Sequence, residues 1–171
     1  MRPMATLDVV LGFARLRDAE TLAIMSRDLI EAGLGWGYRP QRMAELITAR
    51  ETVTLVAHER TRCVGFAVMK FGDERAHLVL LAVLPTHRRR GIARRLMTWL
   101  LDSAATAGMA SVHLELLEDN ASARAFYRAL TFTETMRLPG YYGGRKPAVR
   151  MMTMLRLPGV RVEAWQPPVR G

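Results

Sequence analysis

One segment constrains the fold more than any other. HLVLLAVLP, residues 77–85, is apolar at odd and even positions alike, the pattern of a central strand covered on both faces. It runs straight into THRRRGIARRL, after which Ile92, Leu96, Trp99, Leu100, Ser103 and Ala104 recur at helical spacing until Gly108. SVHLELL, residues 111–117, then reads as a second strand. A strand–loop–helix–strand unit requires a parallel strand pair joined by a right-handed crossover.

The remaining chain supplies elements around that unit. A first strand is expected within Val9–Arg15, followed by a helix that Asp18 would N-cap and that carries Leu22, Ile24, Met25, Leu29 and Ile30 as far as Gly33. Pro40 suits the first turn of a second helix with Met43, Leu46 and Ile47 inward. TVTLVAHE and CVGFAVMKF flank the polar turn ERTR and predict a hairpin. Beyond residue 117, SARAFYRAL is helical, and strands are expected near Thr131–Arg137 and Val149–Arg156. The expectation is a mixed α/β domain over residues 1–157 with a proline-rich, aperiodic tail at 158–171.

The loop holds five arginines, Arg88, Arg89, Arg90, Arg94 and Arg95, in a chain of formal charge +9. That invites two readings, a nucleic-acid patch or a cradle for one phosphorylated ligand. The charge is scattered from Arg2 to Arg170, and no aromatics interleave the run, so specific nucleic-acid binding is not expected. The position of the loop favours the cradle. It lies between a strand end and a helix N-terminus, where unpaired N–H groups and the helix dipole attract anions. Gly91 and Ala93 let the backbone come close to a ligand, and Arg88, Arg89, Arg90 and Arg94 add charge. Arg95 reads as a solvated helix residue. Half the residues are hydrophobic and no apolar run is long enough for a membrane span. The single cysteine, Cys63, excludes an internal disulfide. A cytoplasmic protein is expected. The four histidines show no metal-ligand spacing, and no metal is expected.

With these residues in view, the sequence resembles the GNAT superfamily of acyl-CoA N-acyltransferases. Strand LLAVLP followed by Arg88-Arg89-Arg90-Gly91-Ile92-Ala93 is similar to that family's Arg/Gln-x-x-Gly-x-Gly/Ala signature. Downstream, LELLEDNASARAFYRALTF is similar to its second signature at Asn120, Ala123, Tyr127 and Phe132, with Thr131 where glycine is usual. The resemblance covers roughly residues 5 to 156 and is nearest the ribosomal-protein alanine N-acetyltransferase (RimI) type, which acetylates protein N-termini. Tyr141-Tyr142, Ala148 and Met151 match that type, whereas Lys146 and Pro147 replace its acidic residues.

The resemblance implies a mostly antiparallel central sheet of about seven strands, flanking helices, and a parallel pair splayed at the cofactor site. It implies acetyl-CoA as cofactor, with coenzyme A as product. The pyrophosphate would lie on the backbone of residues 88–94, the pantetheine arm along Leu81, Ala82 and Val83, and Asn120 would contact the coenzyme besides capping its helix. It also implies a primary amine acceptor, most simply a protein N-terminus. An α-amino group is about one-tenth neutral at pH 7, whereas a lysine is well under a thousandth neutral, so an N-terminal acceptor asks only for a modest base. A polyamine or amino-sugar acceptor is the enzymatic alternative, favoured by the acidic Glu115, Glu118 and Asp119. A non-catalytic acyl-CoA-binding module is the third reading.

Two residues carry the implied chemistry. Glu115 is the implied base, its pKa raised by apolar neighbours; read from the residues alone, it is equally a charged group on a solvated strand face. Tyr127 is the implied donor to the leaving sulfur; its bland alternative is a core tyrosine whose hydroxyl reaches a backbone partner. Trp36, Tyr38, Tyr141 and Tyr142, in glycine-containing loops, are candidate acceptor walls, with hydrophobic packing the alternative. Cys63 reads as core rather than as a nucleophile. Monomer and homodimer are both open.

Overall fold

The computed structural model describes residues 8–156. Hydrogen bonding orders seven strands as β1 (Val9–Phe13), β2 (Thr52–Glu59), β3 (Arg62–Phe71), β4 (Arg75–Val83), β5 (Ser111–Leu117), β7 (Lys146–Met154) and β6 (Thr133–Tyr142). Only β4 and β5 are reported as a parallel pair, in register from Arg75–Ser111 to His77–His113. Four α-helices accompany them: α1 (Ala19–Leu29), α2 (Pro40–Thr48), α3 (Ile92–Thr106) and α4 (Ala121–Ala129). No helix is long and apolar enough to cross a membrane. The proline-rich stretch at 158–171 lies outside the described residues.

The chain forms two compact units. The first comprises residues up to Met69 together with Val79–Thr98. Its core brings Leu22, Ala23 and Met25 of α1, Met43 of α2, Val56 of β2, Phe66 and Val68 of β3, and Leu80 and Ala82 of β4 into one apolar cluster. Burying each large side chain there contributes roughly 1.5–3 kcal/mol. As expected, Pro40 occupies the first turn of α2, where its missing N–H costs nothing. Two expectations need correction. Asp18 does not cap α1. It closes a 3-10 turn over Leu16–Asp18, its carboxylate accepting the Arg15 N–H at 2.7 Å. Ile24 faces outward, because α1 buries Ala19, Leu22, Ala23, Met25 and Ser26 instead.

The second unit comprises Lys70–Leu78 and everything from Trp99 onward. β5 pairs antiparallel with β7, and β7 with β6. Val112, Leu114, Leu116, Phe132, Ala148 and Met151 are buried in this unit. β6 and β7 form a longer hairpin than their composition suggests. Pro139 and Gly140 read as a strand break, yet β6 continues to Tyr142 with a register shift between Leu138 and Tyr142. An edge strand tolerates proline and bulges because one of its faces needs no ladder bonds. Tyr141 and Tyr142 therefore end a strand and do not sit in a loop.

Thr131 fills the position where the resemblance implies glycine, and it takes the left-handed conformation itself, with φ +69°. The turn brings the Phe132 N–H to the Tyr127 carbonyl at 3.0 Å and seats the Phe132 ring in the core. A β-branched residue there is strained. The Thr131 and Thr153 hydroxyls bond to each other at 3.1 Å.

Candidate active site

In the first unit, the segment between β4 and α3 is built largely from backbone. The Leu84 N–H bonds the Val64 carbonyl at 2.8 Å, and Pro85–His87 form a 3-10 turn. Arg89 and Gly91 both have positive φ, +59° and +76°. A Cβ on Gly91 would touch nothing but would project into the open space before the helix, from a backbone conformation that side chains resist. The first α3 backbone bond is the Arg95 N–H to the Gly91 carbonyl at 3.0 Å. Among the described residues, the N–H groups of Gly91, Ile92, Ala93 and Arg94 have no protein acceptor. Four convergent donors at a helix N-terminus make an anion site.

The arginines divide by function. Arg88 turns back and donates from Nε to the Val83 carbonyl at 3.3 Å. Arg90 lies 3.7 Å from Glu59. Arg95 is not merely solvated, since its guanidinium donates to the Val9 carbonyl at 2.7 Å and ties α3 to β1. Arg89 and Arg94 are exposed and have no hydrogen bond or ion pair among the described residues, so their charge is available to an anion on the loop.

Three supports of this loop were missed in the sequence. His87 is buried beneath it and bonds Glu59 Oε2 at 2.9 Å through Nε2 and the Thr86 hydroxyl at 2.8 Å through Nδ1. Glu59, at the end of β2, is held below the usual carboxylate range first by the His87 hydrogen bond and then by cations including Arg90. Gly65 of β3 lets the end of β4 come close, because a Cβ there would sit 3.1 Å from the Ala82 carbonyl oxygen and 3.4 Å from Ile92. Ala82 and Val83 are buried and Leu81 is half-buried at this strand end.

The second unit holds the candidate proton-transfer groups. Glu115 corrects an expectation. Its neighbours are polar, and its pKa is lowered, not raised. The chief cause is the hydrogen bond from His77; the His77 charge and Arg150 add to it, while burial opposes it. His77 Nε2 meets Glu115 Oε2 at 2.5 Å, and Arg150 Nε donates to Oε1 at 2.9 Å. His113, on the same strand face, bonds the Ser111 hydroxyl at 2.9 Å. Burial first, then Arg75 and Arg150, push its pKa down. His77 was missed because histidines were weighed only as metal ligands, and its partner lies on another strand.

Tyr127 is buried between Phe126 and Phe132, whose rings meet it edge-on at 5.1 and 5.6 Å. Burial, then Tyr142, raise its pKa, so the phenol stays protonated across the neutral range. Its hydroxyl has no hydrogen-bond partner among the described residues, unlike that of an ordinary core tyrosine. Asn120 caps α4, its side-chain oxygen accepting the Ala123 N–H at 3.1 Å. Glu118 is occupied by Arg137 at 2.6 Å, so Glu115 and Glu118 are both already paired with cations.

The remaining candidates show how they are held. Trp36 packs on the first unit's core, and its indole N–H is shared between the Ala23 and Tyr38 carbonyls at 3.2 and 3.1 Å. Glu31 orders this loop by accepting the Gly37 and Tyr38 N–H groups. Tyr141 and Tyr142 meet edge-on at 4.9 Å. Burial pushes the Cys63 thiol up to about 11.

Comparison with known proteins follows this geometry. The acetyltransferase (GNAT) family model matches residues 19–132. N-alpha-acetyltransferase MAK3 of Arabidopsis thaliana is 33% identical over 109 residues, which cover 61% of this chain and 57% of that protein. The ribosomal protein bS18-alanine N-acetyltransferase of Escherichia coli K12 is 34% identical over 90 residues, 51% of this chain and 61% of that one. The chain thus spans about 60% of the length of these curated relatives. The crystal structure of the ribosomal-protein-S18-alanine N-acetyltransferase from Escherichia coli superposes with a TM-score of 0.78 at 22% identity, covering 91% of this chain and 99% of that one.

Proposed function

Because the chain belongs to the acetyltransferase (GNAT) family, we propose that it is an enzyme transferring acetyl from acetyl-CoA to the α-amino group of a protein or peptide N-terminus. The observation that carries this reading is the row of unpaired N–H groups from Gly91 to Arg94, flanked by Arg89 and Arg94. A diphosphate fits that row, since each N–H gives a charge-assisted bond to an anionic oxygen without any side chain having to reorganise. Arg88 and Arg90 shape the loop, Leu81–Val83 line the strand end that leads into it, and Asn120 serves both as cap and as coenzyme contact.

The amine must lose a proton and the sulfur must leave as a stabilised thiolate. Proton acceptance is assigned to the cluster around Glu115, and sulfur stabilisation to Tyr127. A phenol that holds its proton more tightly than a thiol does acts chiefly by hydrogen-bonding the departing sulfur, with solvent completing its protonation. An N-terminal acceptor is supported by the two relatives whose printed activities are of that kind. It is also supported by the loss of the hint toward polyamines, because Glu115 and Glu118 are already paired with cations. Tyr141 and Tyr142 are the better candidates for an acceptor wall, Trp36 and Tyr38 being engaged in packing. A cytoplasmic setting suits the chemistry and the lone thiol.

The test is a calorimetric titration with acetyl-CoA beside one with duplex DNA, followed by coenzyme A release with a peptide bearing a free N-terminal alanine and with spermidine. Acetyl-CoA should bind and the peptide should be acetylated on its terminal nitrogen. Salt-sensitive DNA binding without any response to acetyl-CoA would falsify the reading.

A further inference from the structure

Glu115 is tied at both oxygens, to Arg150 at 2.9 Å and to His77 at 2.5 Å, and its side chain is only 10% exposed. An ionised carboxylate so engaged has no oxygen ready to accept a proton, but it is well placed to orient an imidazole. Since Glu115 can only accept, His77 presents Nε2–H to it, which leaves Nδ1 with its lone pair. His77 Nδ1 has no partner among the described residues, and the side chain is 43% exposed. Strand alternation puts His77 on the same side of β4 as Leu81 and Val83. The charged and titratable groups around the imidazole are Arg75 on its own strand, His113 and Glu115 on β5, and Arg150 on β7. His113 does not compete, because its Nε2 is engaged by Ser111.

We propose that His77 Nδ1 is the atom that takes the proton from the acceptor amine, with Glu115 and Arg150 acting as positioning residues that fix the imidazole tautomer. The inference rests on the acetyl-transfer reading above. As the amine nitrogen bonds to the thioester carbon, its proton passes to Nδ1. The carbon–sulfur bond breaks with its electron pair on sulfur, which Tyr127 hydrogen-bonds. His77 then returns the proton to solvent, and the thiolate takes one from it, so the step balances without any further reactant. The arrangement explains how a carboxylate whose pKa is depressed can still serve proton removal: it supports the charge that develops on the ring.

Two measurements decide it. Long-range proton–nitrogen correlation spectra of histidine-labelled protein should show His77 as the Nε2–H tautomer at neutral pH. An Nδ1–H tautomer overturns the assignment whatever the acceptor proves to be. With acetyl-CoA and the N-terminal alanine peptide, His77→Ala should lower kcat about a hundredfold while KM for acetyl-CoA stays within about twofold, and added imidazole should restore at least about tenfold of the loss. His77→Gln, which keeps a donor toward Glu115 but lacks a basic nitrogen, should be folded and equally slow. A wild-type rate in either variant, or a loss that imidazole does not relieve, overturns the proposal. If the wild-type protein acetylates neither peptide nor amine, the acetyl-transfer reading fails, and the tautomer spectrum still decides the state of His77.

Discussion

The loop before α3 and the cluster around Glu115 solve opposite problems by opposite means. The loop binds through main chain: its donors are N–H groups, its shape is set by positive φ at Arg89 and Gly91, and three of its five arginines are turned inward to hold it. The cluster works through side chains, each fixed by another: His77 by Glu115, Glu115 by Arg150, His113 by Ser111. A main-chain site is insensitive to most side-chain changes and acutely sensitive to backbone conformation. A side-chain site has the reverse vulnerability. The difference suits the tasks, since a diphosphate offers many oxygens to a row of donors, whereas proton transfer depends on the identity of single atoms.

That contrast can be broken at graded points. The largest effect is expected for Gly91→Val, which forces a β-branched residue into the left-handed region and aims its side chain at the anion. Acetyl-CoA affinity should fall about a hundredfold by calorimetry, and an unchanged Kd would remove the main-chain account. Tyr127→Phe should lower kcat at least about tenfold with acetyl-CoA affinity retained; full turnover in that variant removes the phenol from the mechanism. Arg95→Gln cuts a tie to Val9 but no phosphate contact, so the Kd for acetyl-CoA should move by no more than about twofold. A larger loss from Arg95 than from Gly91 would reverse the reading of the loop. The smallest effect is at Thr131. In a Thr153→Ala background, where the hydroxyl pair is already gone, Thr131→Gly should stabilise by about 1 kcal/mol, a rise of about 2–4 °C in Tm, with kcat and KM unaltered. A fall in Tm would mean that the left-handed threonine carries no strain.

The parts legible in the sequence are those written in consecutive residues. The strand–loop–helix–strand unit, Pro40 at a helix start and Asn120 as a cap are local arrangements, and local spacing announces them. Glu59 and His87 are 28 residues apart, and His77 and Glu115 are 38 apart. Neither pair belongs to any periodic pattern, because strand pairing brings them together and one sequence does not print its strand register. The expected rise in the Glu115 pKa failed for the same reason: alternation identified its face of the sheet but not the cations arriving from β4 and β7. Asp18 misled because a residue suited to capping one helix can close the turn before it. The hairpin of β6 and β7 was underestimated because proline and glycine interrupt a pattern more than they interrupt an edge strand.

The state of Cys63 has a practical corollary for enzymology. It is the sole cysteine of the chain, its thiol donates to the Gly65 carbonyl at 3.4 Å, and burial pushes its pKa up to about 11. A thiol in that state reacts slowly with disulfide reagents at pH 8, since the thiolate is the reactive species. Colorimetric detection of free sulfhydryl can therefore follow product coenzyme A continuously in the presence of the protein, with little background and without engineering the cysteine away.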